Sequence, residues 1–204
     1  MFLTHPIISK AGRVALVSPS EIDDQDVVYL WNDPATRRFQ RFLPERVSNA
    51  DIRAQRLAWA ADPNVCAFNV HALKPTGKSE FVGVARIHHI DRYYGNSCEV
   101  GLTMSSMHFG AGLGRAAIHT VLEYVFEERK FRRVVFHTAV ENHVIRGWLE
   151  RLGATLEGIE RDFYADGTSG YTDACVYSIL DREWVGGCKA RMEQGIFGAS
   201  KSRL

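Results

Sequence analysis

The chain has 204 residues, a formal net charge of +1 and 46% hydrophobic residues. That is ample for one core and argues against global disorder, and the near-zero charge gives no global pull toward nucleic acid or an anionic membrane. No apolar run approaches the ~18 residues of a membrane span and no secretory pattern opens the chain, so a cytoplasmic protein without membrane or nucleic-acid partners is expected.

Gly12 to Pro19 alternates as a first strand. Ser20, followed by Asp23, gives a capping-box-like start to a helix that runs to about Trp31 and stops at Asn32-Asp33-Pro34. After a short helix or turn and Pro44, Ser48 caps a second helix through about Ala61, with Ile52, Leu57 and Trp59 as its apolar contacts. Residues 35 to 60 hold six arginines, at 37, 38, 41, 46, 53 and 56, against Glu45 and Asp51. They read as a solvated helix face or as a site for an acceptor carrying a carboxylate or phosphate.

A three-strand meander follows: Val65–Leu73, Phe81–Ile90 and Ser97–Met104, with turns at Lys74–Lys78 and Asp91–Asn96. A glycine-rich loop leads into a helix ending near Arg129. Arg132–Ala139 is a further strand. Asn142 caps a helix carrying Val144, Ile145, Trp148, Leu149 and Leu152, and Gly153 stops it. Ala154–Ala165 and Gly170–Leu180 are the last two strands, joined by Asp166-Gly167-Thr168-Ser169. Residues 1–184 are read as one domain. The segment 185–204, with four basic residues, one acid and four glycines, is read as a mobile tail.

Cys66, Cys98, Cys175 and Cys188 form no Cys-x-x-Cys pair and are expected as buried free thiols. His88 and His89 are adjacent on a strand and should face opposite sides. With no His-x-x-x-His or Cys/His cluster elsewhere, no metal is expected.

The loop reads Phe109-Gly110-Ala111-Gly112-Leu113-Gly114-Arg115 between a strand and a helix. Alternate glycines let the backbone curl and turn successive N–H groups toward one point, and the first helical turn adds unpaired donors and partial positive charge. Phosphate or pyrophosphate is the matching ligand. A Walker loop is excluded, since no Lys follows Gly114. The dinucleotide fingerprint fits poorly, since Arg115 stands where its third glycine belongs.

The loop resembles the acetyl-CoA loop of the GNAT N-acetyltransferases, Gln/Arg-x-x-Gly-x-Gly/Ala, with Phe109 replacing the Gln/Arg. Two more blocks resemble the same family. One is Glu141-Asn142-His143 through Leu152-Gly153. The other is Asp166-Gly167 with Tyr171-Thr172-Asp173 and Tyr177-Ser178-Ile179-Leu180. The aromatic at 109 and the last block resemble the branch of ribosomal-protein N-terminal acetyltransferases. The resemblance covers about residues 12 to 184 and implies a mixed α/β (α+β) GNAT fold. Its central, mostly antiparallel twisted sheet would have about 6–7 strands flanked by helices.

The resemblance also implies an acetyl-CoA-dependent transferase that moves acetyl directly to a primary amine, on a peptide N-terminus or a small molecule, with a homodimer left open. Leu102, Thr103 and Met104 would pair with pantetheine, and the Met104 N–H would polarise the thioester carbonyl. Phe109, Gly110, Ala111, Gly112, Leu113, Gly114 and Arg115 would hold the pyrophosphate, and Asn142 would meet pantetheine or simply cap its helix. Glu99 is the candidate base. The family's usual acid positions hold Leu149 and Ile145 here, neither of which can protonate a thiolate; Tyr164 and His143 are distant substitutes. The alternative is a non-catalytic acyl-CoA-binding module.

Overall fold

The computed structural model describes residues 3, 5–40, 43–165 and 169–197. Eight strands form one sheet in the order β1-β2-β3-β4-β5-β6-β8-β7. They are β1 (Ile7–Ile8), β2 (Val14–Val17), β3 (Cys66–Leu73), β4 (Ser79–Asp91), β5 (Ser97–Met104), β6 (Arg133–Ala139), β7 (Thr155–Ala165) and β8 (Tyr171–Leu180). Among the described residues, only β5 and β6 pair in parallel. The two-residue β1 is one strand more than the sequence pattern shows.

Helices α1 (Asp24–Asn32), α2 (Pro34–Arg37) and α3 (Asn49–Ala61) follow β2. Ser48 closes a capping box with Asp51 at the start of α3, as its spacing dictates. Ser20 makes no side-chain cap, and Asp23 is buried instead, bonded to Asn69 and His71 of β3. Ile52 is buried, whereas Leu57 is 55% exposed. Arg56 forms a two-pronged pair with Asp24, and Arg37 donates to the carbonyls of Trp31, Leu43 and Pro44. Those two arginines hold the helical layer together. Arg41 lies outside the described residues, as do Asp166 and Gly167 of the third family-like block.

Helix α4 (Leu113–Glu123) runs on as a π-helical turn, Tyr124–Glu128, and is nearly buried along its length. Its apolar face packs with Cys98, Val100, Leu102 and Met104 of β5 in the main core. Helix α5 (His143–Leu152) ends at Gly153, whose φ of 94° is the left-handed conformation glycine adopts freely.

The expected mobile tail is a correction. Asp181–Glu183 (α6) leads through a turn to α7 (Lys189–Phe197), and Trp184, Cys188, Met192 and Ile196 are buried. A polar composition with glycines looks like a tail, but within it the apolar side chains of Cys188, Met192 and Ile196 are buried and α7 packs on α4. Residues 198–204 lie outside the described residues. All four cysteines are free and buried. Among the described residues, no helix is long and apolar enough to cross a membrane.

Candidate active site

Strands β5 and β6 pair only over Ser97–Glu99 and Arg133–Val135, then part. On its other side β5 stays paired with β4 through Met104. So the β6-facing edge of residues 101–104 has no strand partner. Ser105 N–H donates to Val82 O. The two-residue period of an antiparallel ladder then turns the N–H groups of Leu102 and Met104 toward the opening. An extended ligand can add there as a strand, with Met104 N–H as a donor.

The glycine loop caps the opening. Gly110 and Gly112 have φ of 78° and 73°, and Gly112 is the N-cap of α4. The first-turn N–H groups that follow have no intrahelical acceptor. Gly114 lets α4 lie against β5, since a Cβ there would meet Met104 Cγ at 3.2 Å. Arg13 Nη2 donates to Ala111 O at 2.6 Å and braces the loop from β2's side. Phe109 is exposed beside it. The Arg115 guanidinium donates to Gly195 O in α7, so Arg115 offers a ligand its backbone rather than its side chain. Asn142 does cap α5: its side-chain oxygen accepts from Ile145 N–H, which leaves only its amide NH₂ for a ligand.

Glu99 lies on the sheet face opposite α4, at the fork where the strands part. Three histidines surround it. His89 Nδ1 and His137 Nδ1 lie 2.9 and 3.0 Å from Glu99 Oε2, and His88 Nε2 lies 3.7 Å from Oε1. The His137 Nδ1 atom is buried, and its contact with Glu99 lies off the hydrogen-bond line. Burial pushes the Glu99 carboxyl up, but the imidazoles of His137, His88 and His89 outweigh it and hold the group down at about 2. Burial and Arg86 push His88 down to about 4, so it is neutral near pH 7. Burial lowers the His137 imidazole less than Glu99 and Glu160 raise it, so its net shift is upward. Phe163 lies parallel to the His137 ring at 4.9 Å. Burial, with Glu99 and Glu160 adding, pushes Tyr164 up to about 12, so it keeps its proton.

The expectation that His88 and His89 face opposite sides is corrected. The β4–β5 register shifts between His88 and Asp91, and His89 sits at φ 47°. That bulge stacks the two rings at 4.7 Å, both against Glu99. His88, His89 and Glu99 bring three donor atoms within 4.8 Å of one another, as do His119, Glu123 and Glu193. In the first group Arg86 already serves as a nearby counter-cation, and in the second Lys10 and Lys189 hold the carboxylates; neither is assigned a metal. An open groove of about 550 Å³ beside the first group is lined by Asp62, Asn64, Val65, Arg86, His88, His89 and Ile90.

His137 was missed in the sequence. The signal available was a polar residue alternating with buried Val134 and Phe136, on the strand after the glycine loop. At the family's acid positions, Leu149 is fully buried in the core and Ile145 is 41% exposed.

A glycine loop on a helix N-terminus, a forked parallel strand pair and a carboxylate at the fork define the class. The acetyltransferase (GNAT) domain family matches residues 13–155, and the chain belongs to it. It is an acetyltransferase, and it resembles the ribosomal branch. YdaF of Bacillus subtilis (strain 168), which carries the provisional name ribosomal N-acetyltransferase, is 34% identical over 105 residues. That match covers 51% of this chain and 56% of YdaF. The Mycobacterium smegmatis RimJ structure in complex with CoA-disulfide shares the fold with a TM-score of 0.77 at 18% identity, covering 94% of this chain and 93% of that one. Spermidine N-acetyltransferase from Vibrio cholerae in complex with CoA and spermine does so with a TM-score of 0.74 at 21% identity, covering 85% and 98%.

Proposed function

We propose that the protein transfers the acetyl group of acetyl-CoA directly to a primary amine on a peptide N-terminus or a small molecule. The observation that carries this is the unpaired β5 edge over residues 101–104, with the glycine loop at one end and Glu99 at the other. In this reading the loop from Phe109 to Arg115 holds the pyrophosphate. Leu102 to Met104 pair with pantetheine; Met104 lies at the loop end of that edge, so the Leu102 N–H, nearer the fork, is the donor that stabilises the oxyanion formed on the thioester carbonyl. The amide of Asn142 meets the pantetheine arm. The amine enters along the groove lined by Arg86, His88 and His89, and its proton leaves toward the Glu99 cluster. That groove carries more imidazole and guanidinium than carboxylate, which favours a monoamine or peptide N-terminus over a polyamine.

A second reading, an acyl-CoA-binding module without turnover, draws on Leu149 and Ile145 at the usual acid positions. The test is calorimetry with acetyl-CoA followed by thiol release with a panel of amines. Binding with turnover supports the transferase, binding without turnover supports the module, and no binding overturns both. Gly112→Glu puts a carboxylate where the pyrophosphate would sit, so it should abolish binding in a protein that still folds.

A further inference from the structure

The proton taken from the amine needs a resting place, and the CoA thiolate needs one returned. Glu99 is a poor store. Three histidines converge on it, and its carboxyl is held far below any amine, so a proton placed there is bound very weakly. Leu149 and Ile145 cannot donate. His88 is neutral and hard to protonate. The His89 side chain is 77% exposed, on the outer side of the cluster.

His137 differs from both. It stands on β6 two residues past Val135, the last residue paired with β5, and so lies on the wall of the fork. Its side chain is 13% exposed, its ring lies against Phe163, and its Nδ1 faces Glu99 Oε2 at 3.0 Å. Its Nε2 is 3.5 Å from Glu160 Oε2, a side chain 48% exposed. The charged groups that face it are Glu99 on β5 and Glu160 on β7; Tyr164 on β7 and Arg86, His88 and His89 on β4 are neighbours of the same Glu99. On β8, the residue opposite it is Val176.

We propose that His137 receives the ammonium proton at Nε2 and returns it to the departing thiolate, with Glu99, 3.0 Å from Nδ1, as the carboxylate that balances its charge. This rests on the transferase reading above. The amine N–H bond breaks and its proton goes to Nε2. The freed lone pair attacks the thioester carbon. The C–S bond then breaks, and the imidazolium N–H protonates the sulfur. One proton thus passes from nitrogen to sulfur through His137, and the second proton of the attacking nitrogen leaves to water as the amide forms, so His137 covers both the base and the missing acid.

The base form is neutral His137. The net upward pull of its two carboxylates places its titration above the usual imidazole value of about 6.5. Turnover should therefore climb with pH through that region. A pathway without His137 would show only the limb of the amine's own deprotonation, at about pH 8 for a peptide α-amino group, because Glu99 is ionised throughout.

The experiment measures kcat from pH 5.5 to 9.5 for wild type, His137→Gln, His137→Ala and Glu99→Gln, with acetyl-CoA affinity by calorimetry as the control on folding. His137→Gln should lose about 10²-fold or more in kcat at unchanged acetyl-CoA affinity, and its limb should move up to that of the amine itself. Added imidazole should restore part of the His137→Ala activity. Glu99→Gln should move the limb to lower pH, since the carboxylate that raises His137 is gone. Wild-type kcat with its limb intact in His137→Gln would overturn this assignment and leave the transferase standing. Acetyl-CoA binding by wild type with no turnover of any amine would overturn both.

Discussion

Arg13 and Ala111 are 98 residues apart in the chain and 2.6 Å apart in space, guanidinium to carbonyl. This bond ties the start of β2 to the apex of the glycine loop. A Cβ on Gly112 would meet the same guanidinium at 3.3 Å. Arg13 therefore fixes the loop's position without being part of it. Arg13→Ala should weaken acetyl-CoA binding about five- to tenfold, on the order of one solvent-exposed hydrogen bond, with little change in melting temperature. Calorimetry and a thermal melt measure both. Equal affinity would show that the loop holds its shape alone.

Gly83 faces Met104 across β4 and β5. A Cβ on Gly83 would overlap the Thr103 carbonyl oxygen and crowd Met104 Cα at 3.0 Å. Those are backbone atoms and cannot swing aside. Gly83→Ala should cost about 1–3 kcal/mol of stability and push the Met104 N–H out of line. Its acetyl-CoA affinity should fall, since Met104 pairs with pantetheine at the loop end of that edge. Unchanged affinity would disconnect this strand from the cofactor.

Asp23 is 4% exposed and accepts from Asn69 and His71. Burial raises its carboxyl, but His71 and Asn69 outweigh that and leave it below the usual carboxylate value. A carboxyl lower in the folded state than in the unfolded one stabilises above the unfolded value of about 3.9. That stability is lost as pH falls through the folded value. Asp23→Asn should be less stable than wild type near pH 6, and the gap should narrow as the pH is lowered through 4 toward 3. Urea midpoints at a series of pH values report it, and a gap that widens on acidification would refute it.

Trp184 is 1% exposed, stacks on Phe126 with ring centroids 5.5 Å apart, and donates from Nε1 to Glu127 at 2.9 Å. Trp184→Ala should cost about 3–5 kcal/mol. Denaturant unfolding measures it, and a loss under 1 kcal/mol would mean that the C-terminal helix adds little to the fold.

The element order was legible because each turn and cap carries its own local signal, as at Ser48, Gly77, Asn142 and Gly153. The glycine loop was legible because a tight approach needs absent side chains at fixed places. Two things were not. The bulge that brings His88 and His89 onto one side depends on His89 at φ 47°, a conformation no local residue type announces. The docking of 185–197 depends on a surface that α4 presents only once folded. His137 was hidden for a related reason: its partner Glu99 is 38 residues away, and a parallel pairing joins their strands.

Both ends of the described chain fasten to one helix. Lys10 Nζ bonds Glu123 of α4 at 2.7 Å and Glu193 of α7 at 3.1 Å, and Arg115 of α4 holds Gly195 O. During synthesis the glycine loop and α4 leave the ribosome well before residues 193–195. Until residues 193–195 are made, α4 lacks its tie to Gly195 and, through Lys10, its link to Glu193. A chain stopped before residue 193 would carry the whole glycine loop on a helix held by Lys10 but not yet by α7.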